Sequence, residues 1–277
     1  MRVRASLAGA LAGGVLLLPV SALAASPAQI VAKLNAQRVA NGIPGGITLN
    51  AAWTRGCEHH VRYEELNGIP WTHDEVPGRA GYTKDGALAG AEGDQAYTHG
   101  WSEGNPFENL PLHLASLMLP SLAQVGAFER GGRVCVMISP GYTRQFAHDK
   151  LFAYPGAGRS NVPTSEIVHN EWPFAPGDLV GLPQGRATGP VLYVFPAGPW
   201  TFDPTLELKS AKLVGPHGPV AVRLVDGKHH PKLRQHSFGA AFVLPVSPLA
   251  PHTTYTATAV VRTATDEQTK TWTFRTA

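Results

Sequence analysis

Pro248-Leu249-Ala250-Pro251-His252-Thr253-Thr254-Tyr255-Thr256-Ala257-Thr258-Ala259-Val260-Val261-Arg262 is the stretch that decides how the second half of the chain folds. Two prolines hold the approach. Tyr255, Ala257, Ala259 and Val261 then fall on one side of an extended strand and mostly threonines on the other, the period of two that a half-buried strand requires. Thr271-Trp272-Thr273-Phe274-Arg275-Thr276 repeats the alternation, and Val220, Val222 and Leu224 show it earlier. Further strand-like runs cover 191–195, 206–214 and 240–246, separated by Pro and Gly turns and free of any helical period.

Short strands at this spacing predict a β-sandwich over residues 184–277. A tyrosine at the start of a late strand is where an immunoglobulin-like or fibronectin type III-like sandwich ties its corner, and Tyr255 stands there. A smaller β-barrel is the competing closure. Upstream, Pro155, Pro163, Pro173, Pro176 and Pro183 punctuate a stretch with little periodicity, so 156–183 reads as a Pro-rich linker.

The first half has a different texture. Ser26-Pro27 is a helix start, a hydroxyl cap with proline at the first helical position, and Ile30, Val31 and Leu34 recur at helical spacing before Asn41-Gly42. Asn50 caps a second helix in which Trp53, Cys57, His60 and Val61 share a face, and Gly68 closes it. Residues 78–100 are glycine-rich with little periodicity and read as a long loop. Leu112 to Leu119 is a short apolar helix stopped by Pro120, and 125–129 with 133–139 reads as a hairpin around Gly131-Gly132.

Arg2 and Arg4, the apolar run 7–20 and Ser21-Ala22-Leu23-Ala24 make a secretory leader of residues 1–24, with a membrane anchor as the rival reading. No later apolar run spans a bilayer, so no transmembrane segment is expected once the leader is removed. Cleavage leaves 277 − 24 = 253 residues and takes the formal charge from +3 to +1, because two arginines go. That balance gives nucleic-acid binding no electrostatic basis. With 43% hydrophobic and 16% charged residues the chain is globular rather than disordered. In an oxidising compartment Cys57 and Cys135 have one intramolecular way to pair, and two separate buried thiols are the alternative.

The chemistry-bearing residues gather between Trp71 and Phe128. Trp71-Thr72-His73-Asp74-Glu75 and Asn105-Pro106-Phe107-Glu108-Asn109-Leu110-Pro111-Leu112-His113 each place a histidine beside carboxylates, 113 − 73 = 40 residues apart. Neutral imidazoles exchange protons or bind divalent metals near neutral pH, and carboxylates complement both tasks. His60, on the apolar face of the second helix, is either a hydrogen-bonded core residue or a member of the same site.

Residues 26–155 resemble the CAP superfamily, the SCP-type domain of cysteine-rich secretory proteins, antigen 5 and pathogenesis-related proteins. Leu34-Asn35-Ala36-Gln37-Arg38 resembles the family's opening helix, and Cys57 to Tyr63 its second helix in bacterial members. Thr72-His73-Asp74-Glu75 through Tyr82-Thr83 is similar to the histidine segment, and Leu110 to Pro120 to the helix-to-strand segment. The resemblance implies an α+β class, with a three-layer α-β-α sandwich over 25–155 followed by the immunoglobulin-like β-sandwich. It also implies two histidines and two acids around a cleft, with His73 and His113 as the histidines. Glu92 is the first acid although it reads Ala91-Glu92-Gly93, and Glu103 or Glu108 is the second, with Glu75 a further candidate.

The cleft set is therefore His60, His73, Glu75, Glu92, Glu108 and His113. The functional expectation is a secreted, extracellular or periplasmic, non-catalytic binding module for a lipid, sterol or extracellular protein. The alternative is a hydrolase in which His73, His113 and a carboxylate hold a divalent metal such as zinc and activate water. Nothing resembling GxSxG, HExxH or a phosphate loop is present.

Overall fold

Local capping sets where the first helices begin. In the computed structural model, which describes residues 24–148, 150–167, 171, 173–198, 206–236 and 239–277, helix α1 (Pro27–Ala40) opens with a capping box. Ser26 N donates to Gln29 Oε1 (2.8 Å) and Gln29 N to Ser26 Oγ (3.3 Å), with Pro27 at the first position. The leader, residues 1–24, lies outside the described residues except for Ala24. Strand β1 (Thr48–Leu49) leads to Asn50, whose side chain accepts from Ala52 N and Trp53 N and opens α2 (Ala51–Leu66).

The glycine-rich stretch expected to be a loop contains α3 (Lys84–Ala91) and strand β2 (Gly93–Tyr97). Thr83 caps α3 by accepting from Gly86 N (3.0 Å). The helix has no bulky stripe because it packs on α2 through small residues. A Cβ at Gly56 would lie 2.9 Å from Asp85 O and 3.3 Å from the Ala89 methyl. Helix α4 (Pro111–Met118) follows, and then the hairpin of β3 (Gln124–Arg130) and β4 (Arg133–Met137). These strands form a four-stranded sheet in the order β1-β3-β4-β2, parallel between β1 and β3 and antiparallel elsewhere. Cys57 of α2 is joined to Cys135 of β4 across that face, with Val61, Ala89 and Met137 around the bridge.

Eleven further strands make up the rest: β5 (Lys150–Tyr154), β6 (Arg159–Val162), β7 (Glu166–Ile167), β8 (Ala187–Thr188), β9 (Leu192–Ala197), β10 (Glu207–Gly215), β11 (Gly218–Val220), β12 (Val222–Val225), β13 (Ala241–Pro245), β14 (Thr254–Arg262) and β15 (Glu267–Thr276). They form a five-stranded sheet β11-β10-β14-β15-β6, a four-stranded sheet β12-β13-β9-β5 and the small pair β7-β8. The stretch read as linker therefore supplies β6 and β7. Tyr255 ties its corner as its position suggests, its hydroxyl accepting from Ala250 N at 2.8 Å.

The sheet containing β9 and β13 is buried on both faces. Leu192, Val194, Ala241 and Val243 share a core with Tyr255, Ala257, Trp272 and Phe274. The alternate residues Tyr193, Phe195, Phe242 and Leu244 share a second core with Leu34, Leu114 and Val136 from the first half. That is why Leu192-Tyr193-Val194-Phe195 and Ala241-Phe242-Val243-Leu244 are apolar at every position. The two halves of the chain thus meet in one continuous core.

The expected fold class, α+β with a helix-rich three-layer α-β-α sandwich ahead of an immunoglobulin-like one, is corrected by this arrangement. Among the described residues there are fifteen strands in four sheets and only four short helices, α3 and α4 being eight residues each, so the chain is mostly β. The physical reason is that strands already pair through the first half, in the sheet β1-β3-β4-β2, and that the strands of the second half begin at Lys150, inside what reads as the first domain. No helix among the described residues is long and apolar enough to cross a membrane.

Candidate functional site

Helix α4 begins without a side-chain cap of its own, Leu110 having no oxygen to offer the first N–H groups. A distant residue does that work. Glu171, only 2% exposed, accepts through Oε1 from Leu112 N (2.8 Å) and His113 N (3.0 Å), and the same oxygen lies 2.7 Å from His113 Nδ1. A carboxylate at a helix N-terminus also meets the positive end of the helix dipole. One side chain thus ends the helix, orients the imidazole and fixes its tautomer, with Nδ1–H donating to the carboxylate.

The ring held in this way is stacked on both sides. Phe107 lies 5.6 Å away at 6° to it, and His73 lies 6.2 Å away at 27°. His73 enters from the segment after α2, where its Nδ1–H donates to Gly90 O at 2.9 Å. Glycine at position 90 permits this close approach. A Cβ there would sit 2.8 Å from His73 O and 2.4 Å from His60 Cε1.

The two imidazoles, far apart in sequence, line one cavity of about 300 Å3 together with Glu92, Asp94, Pro173 and His236. Their environments push them in opposite directions. Burial lowers the His73 pKa below the usual imidazole value, and His113 adds to the effect. Burial also works against a charged His113, but its hydrogen bond to Glu171 and the fields of Asp94 and Glu171 outweigh it and raise its pKa.

Asp94 is buried on β2 beside α4, and desolvation pushes its carboxyl up to about 7. Ser116 Oγ lies 2.6 Å from Asp94 Oδ2 and 2.6 Å from His113 O. One hydroxyl hydrogen cannot serve both acceptors, so the pair of contacts is satisfied when Asp94 carries the second proton.

Of the residues expected in the cleft, His73, Glu92 and His113 come together and the other three do not. His60 and Glu75 form a separate buried pair, Nδ1 to Oε1 at 3.0 Å, with His60 Nε2 donating to Thr72 O (2.9 Å) and Glu75 Oε2 accepting from Thr83 N (3.1 Å). His60 faces the core because it lies on the apolar side of α2, and its partners secure the segment that carries His73. Glu108 stands elsewhere, accepting from Tyr154 Oη and from Gln37 Nε2 (2.5 Å) in a different cavity. It precedes α4 instead of lying on the face that carries His113. Burial raises its pKa.

The expected metal ligand set is likewise not assembled. Among the described residues no three His, Cys, Asp or Glu side chains are grouped to hold a metal ion. In place of Glu108 and Glu75 the structure supplies Asp94, Glu171 and His236. Asp94 and Glu171 were hidden in stretches without periodicity, one in the glycine-rich segment and one among the prolines. The absence of a cap residue at Leu110 is the signal that a remote acceptor was needed.

The arrangement offers a small, half-lined hollow with one imidazole disposed to keep its proton, one disposed to lose it, and a carboxyl that changes charge near neutrality. No family model and no curated protein matches the chain. A solved structure of a DUF4426 family protein from Pseudomonas aeruginosa PAO1 is similar at 16% identity, covering 48% of this chain and 90% of that one with a TM-score of 0.29, a likeness too distant to carry any argument about this chain.

Proposed function

We propose that the protein is a binding module for a compact polar ligand held in the cavity between His73 and His113. The observation that carries this is the pair itself: two rings 6.2 Å apart on one cavity wall, with proton affinities driven in opposite directions. Perturbed titratable groups converging on a concavity are the common signature of a functional site. At about 300 Å3 the cavity sits at the lower end of the range for ligand sites, which favours a headgroup-sized molecule over a sterol.

The leader read at 1–24 and a buried disulfide support action outside the cytoplasm. Among the described residues no ligand set favours a metal-dependent hydrolase.

Native mass spectrometry of the protein after exposure to a metabolite and lipid extract is expected to show a 1:1 adduct. Ala91→Phe, at the exposed rim of the cavity, is expected to abolish the adduct while leaving thermal stability unchanged. No adduct, or one indifferent to that substitution, would remove the proposal.

A further inference from the structure

Strand β3 turns Val125, Ala127 and Glu129 to one face, and all three are buried. The first two belong to the core that β3 shares with α1. A carboxylate in the third place of such a row costs desolvation unless charge meets it. Glu129 is 6% exposed, and each oxygen accepts one backbone N–H, Oε2 from Trp101 N at 2.7 Å and Oε1 from Ala25 N at 2.5 Å. Position 100 is glycine at φ +71°, and a Cβ there would lie 2.6 Å from Oε2. The chain is shaped around this carboxylate.

No cationic side chain answers it. Among the described residues no Lys, Arg or His forms an ion pair with Glu129. The basic residues of the neighbourhood are engaged elsewhere: Arg130 with Glu65 (2.6 Å), Arg133 with Ile69 O (2.9 Å), and Lys33 with Trp101 O and Ser102 O. His99 lines the adjoining cavity of about 160 Å3 with Ala24 and Glu129, and does not pair with the carboxylate.

Ala25 N is the nitrogen set free when the chain is cut after Ala24, where Ser21-Ala22-Leu23-Ala24 ends the leader. Hydrolysis of that peptide bond by a leader endopeptidase consumes one water. Ala24 leaves with the carboxylate, and Ala25 keeps an amine that is protonated at neutral pH. An amide donor to Glu129 thereby becomes an ammonium paired with it, a charge-assisted bond. The carboxylate also offsets a cost of processing, because Pro27 starts α1 and the new positive charge lies just ahead of the positive end of the helix dipole. The Ala25 methyl meanwhile packs against the core that contains Trp101.

We propose that Glu129 is the seat of the mature amino terminus, the Ala25 ammonium released by cleavage docking on its carboxylate and tying α1 to β3. The proposal rests on the leader reading and is independent of the ligand cavity.

Intact mass of the protein exported from a bacterial host tests the leader, and a chain beginning at Ala25 is expected. Another first residue would overturn the proposal at that step. The seat is tested on two chains freed by a fusion protease that leaves no residue behind, one beginning at Ala25 and one with Gly-Ser-Gly-Ser ahead of it. The extension keeps the Ala25 N–H and moves the charge away, so a merely structural hydrogen bond would not distinguish them. The Ala25 chain is expected to melt about 3 °C or more above its extension, and Glu129→Gln should abolish the difference. Acetylation at about pH 7, read by mass spectrometry of the amino-terminal peptide, should label the Ala25 amine about tenfold more slowly than the amine of the extension. Each unit by which the carboxylate raises the pKa of the amine cuts its free fraction tenfold. Should Glu129→Gln fail to fold, the labelling ratio decides. Equal melting of the two chains, a difference that survives Glu129→Gln, or equal labelling would overturn the proposal at Glu129.

Discussion

Replacing Cys57 and Cys135 together with alanine is expected to lower the unfolding free energy by about 4.5 kcal/mol, the loop-closure entropy of a 78-residue separation. The bridge joins α2 to the central hairpin, and both cysteines are fully buried, so small cavities around Val61 and Met137 add to the loss. A domain-sized protein is stable by only about 5–15 kcal/mol, so the change removes a large share of the total. Denaturant unfolding of the variant and of reduced wild type measures it. Both should shift to lower midpoints by similar amounts, and unfolding indifferent to reduction would contradict the expected role of the bridge.

The second large effect is in pH. Desolvation raises the carboxyl of Asp94 to about 7 and that of Glu64 to about 8. Both therefore hold a proton in the folded state that they release on unfolding, and their contribution is complete at low pH and lost as pH rises through 7 and 8. From these two groups, going from pH 9 to pH 6 should raise stability by up to about 4 kcal/mol. The raised Glu166, Glu108 and His113 act in the same direction. The lowered His73 acts oppositely, because its contribution is present above about pH 6.5 and lost as pH falls through its folded value. The gain should therefore continue below pH 6 toward the ordinary carboxylate range, less steeply where His73 opposes it.

Asp94→Asn with Glu64→Gln should remove the part of that slope that these two carboxyls supply and leave the part from Glu166, Glu108 and His113. Asn at 94 can donate its NH2 to Ser116 Oγ as the protonated carboxyl does, and Gln at 64 keeps an oxygen acceptor for Thr72 N, neither burying a charge. Thermal melts across the pH range give the slope directly. A wild type whose melting temperature rises from pH 6 to pH 9 would show these carboxyls to be ionised in the fold.

Local signals carried the elements that sequence made legible. Ser26-Pro27 and Asn50 marked two helix starts, Gly131-Gly132 the hairpin, and the alternation after Thr254 a strand whose limits match. Helix α3 was illegible because its contacts are made by Gly56, Gly86 and Ala89, which leave no hydrophobic period. The fold class failed for a related reason. Runs such as Leu192 to Phe195 announce a strand, but only the assembled core shows that its second face is covered by the first half of the chain. Sequence could name His73 and His113, since imidazoles are conspicuous. It could not name Glu171, whose role arises when a proline-rich stretch folds back onto an uncapped helix.

The central claim is that one cavity holds two imidazoles in opposed environments. Long-range 1H–15N spectroscopy of the imidazole nitrogens through a pH titration, with His73→Gln and His113→Gln for assignment, tests it most directly. His113 is expected to keep its proton above pH 6.5, and His73 to stay neutral to below it. If both rings titrate together at the ordinary imidazole value, or His113 releases its proton before His73, the account of the site is wrong.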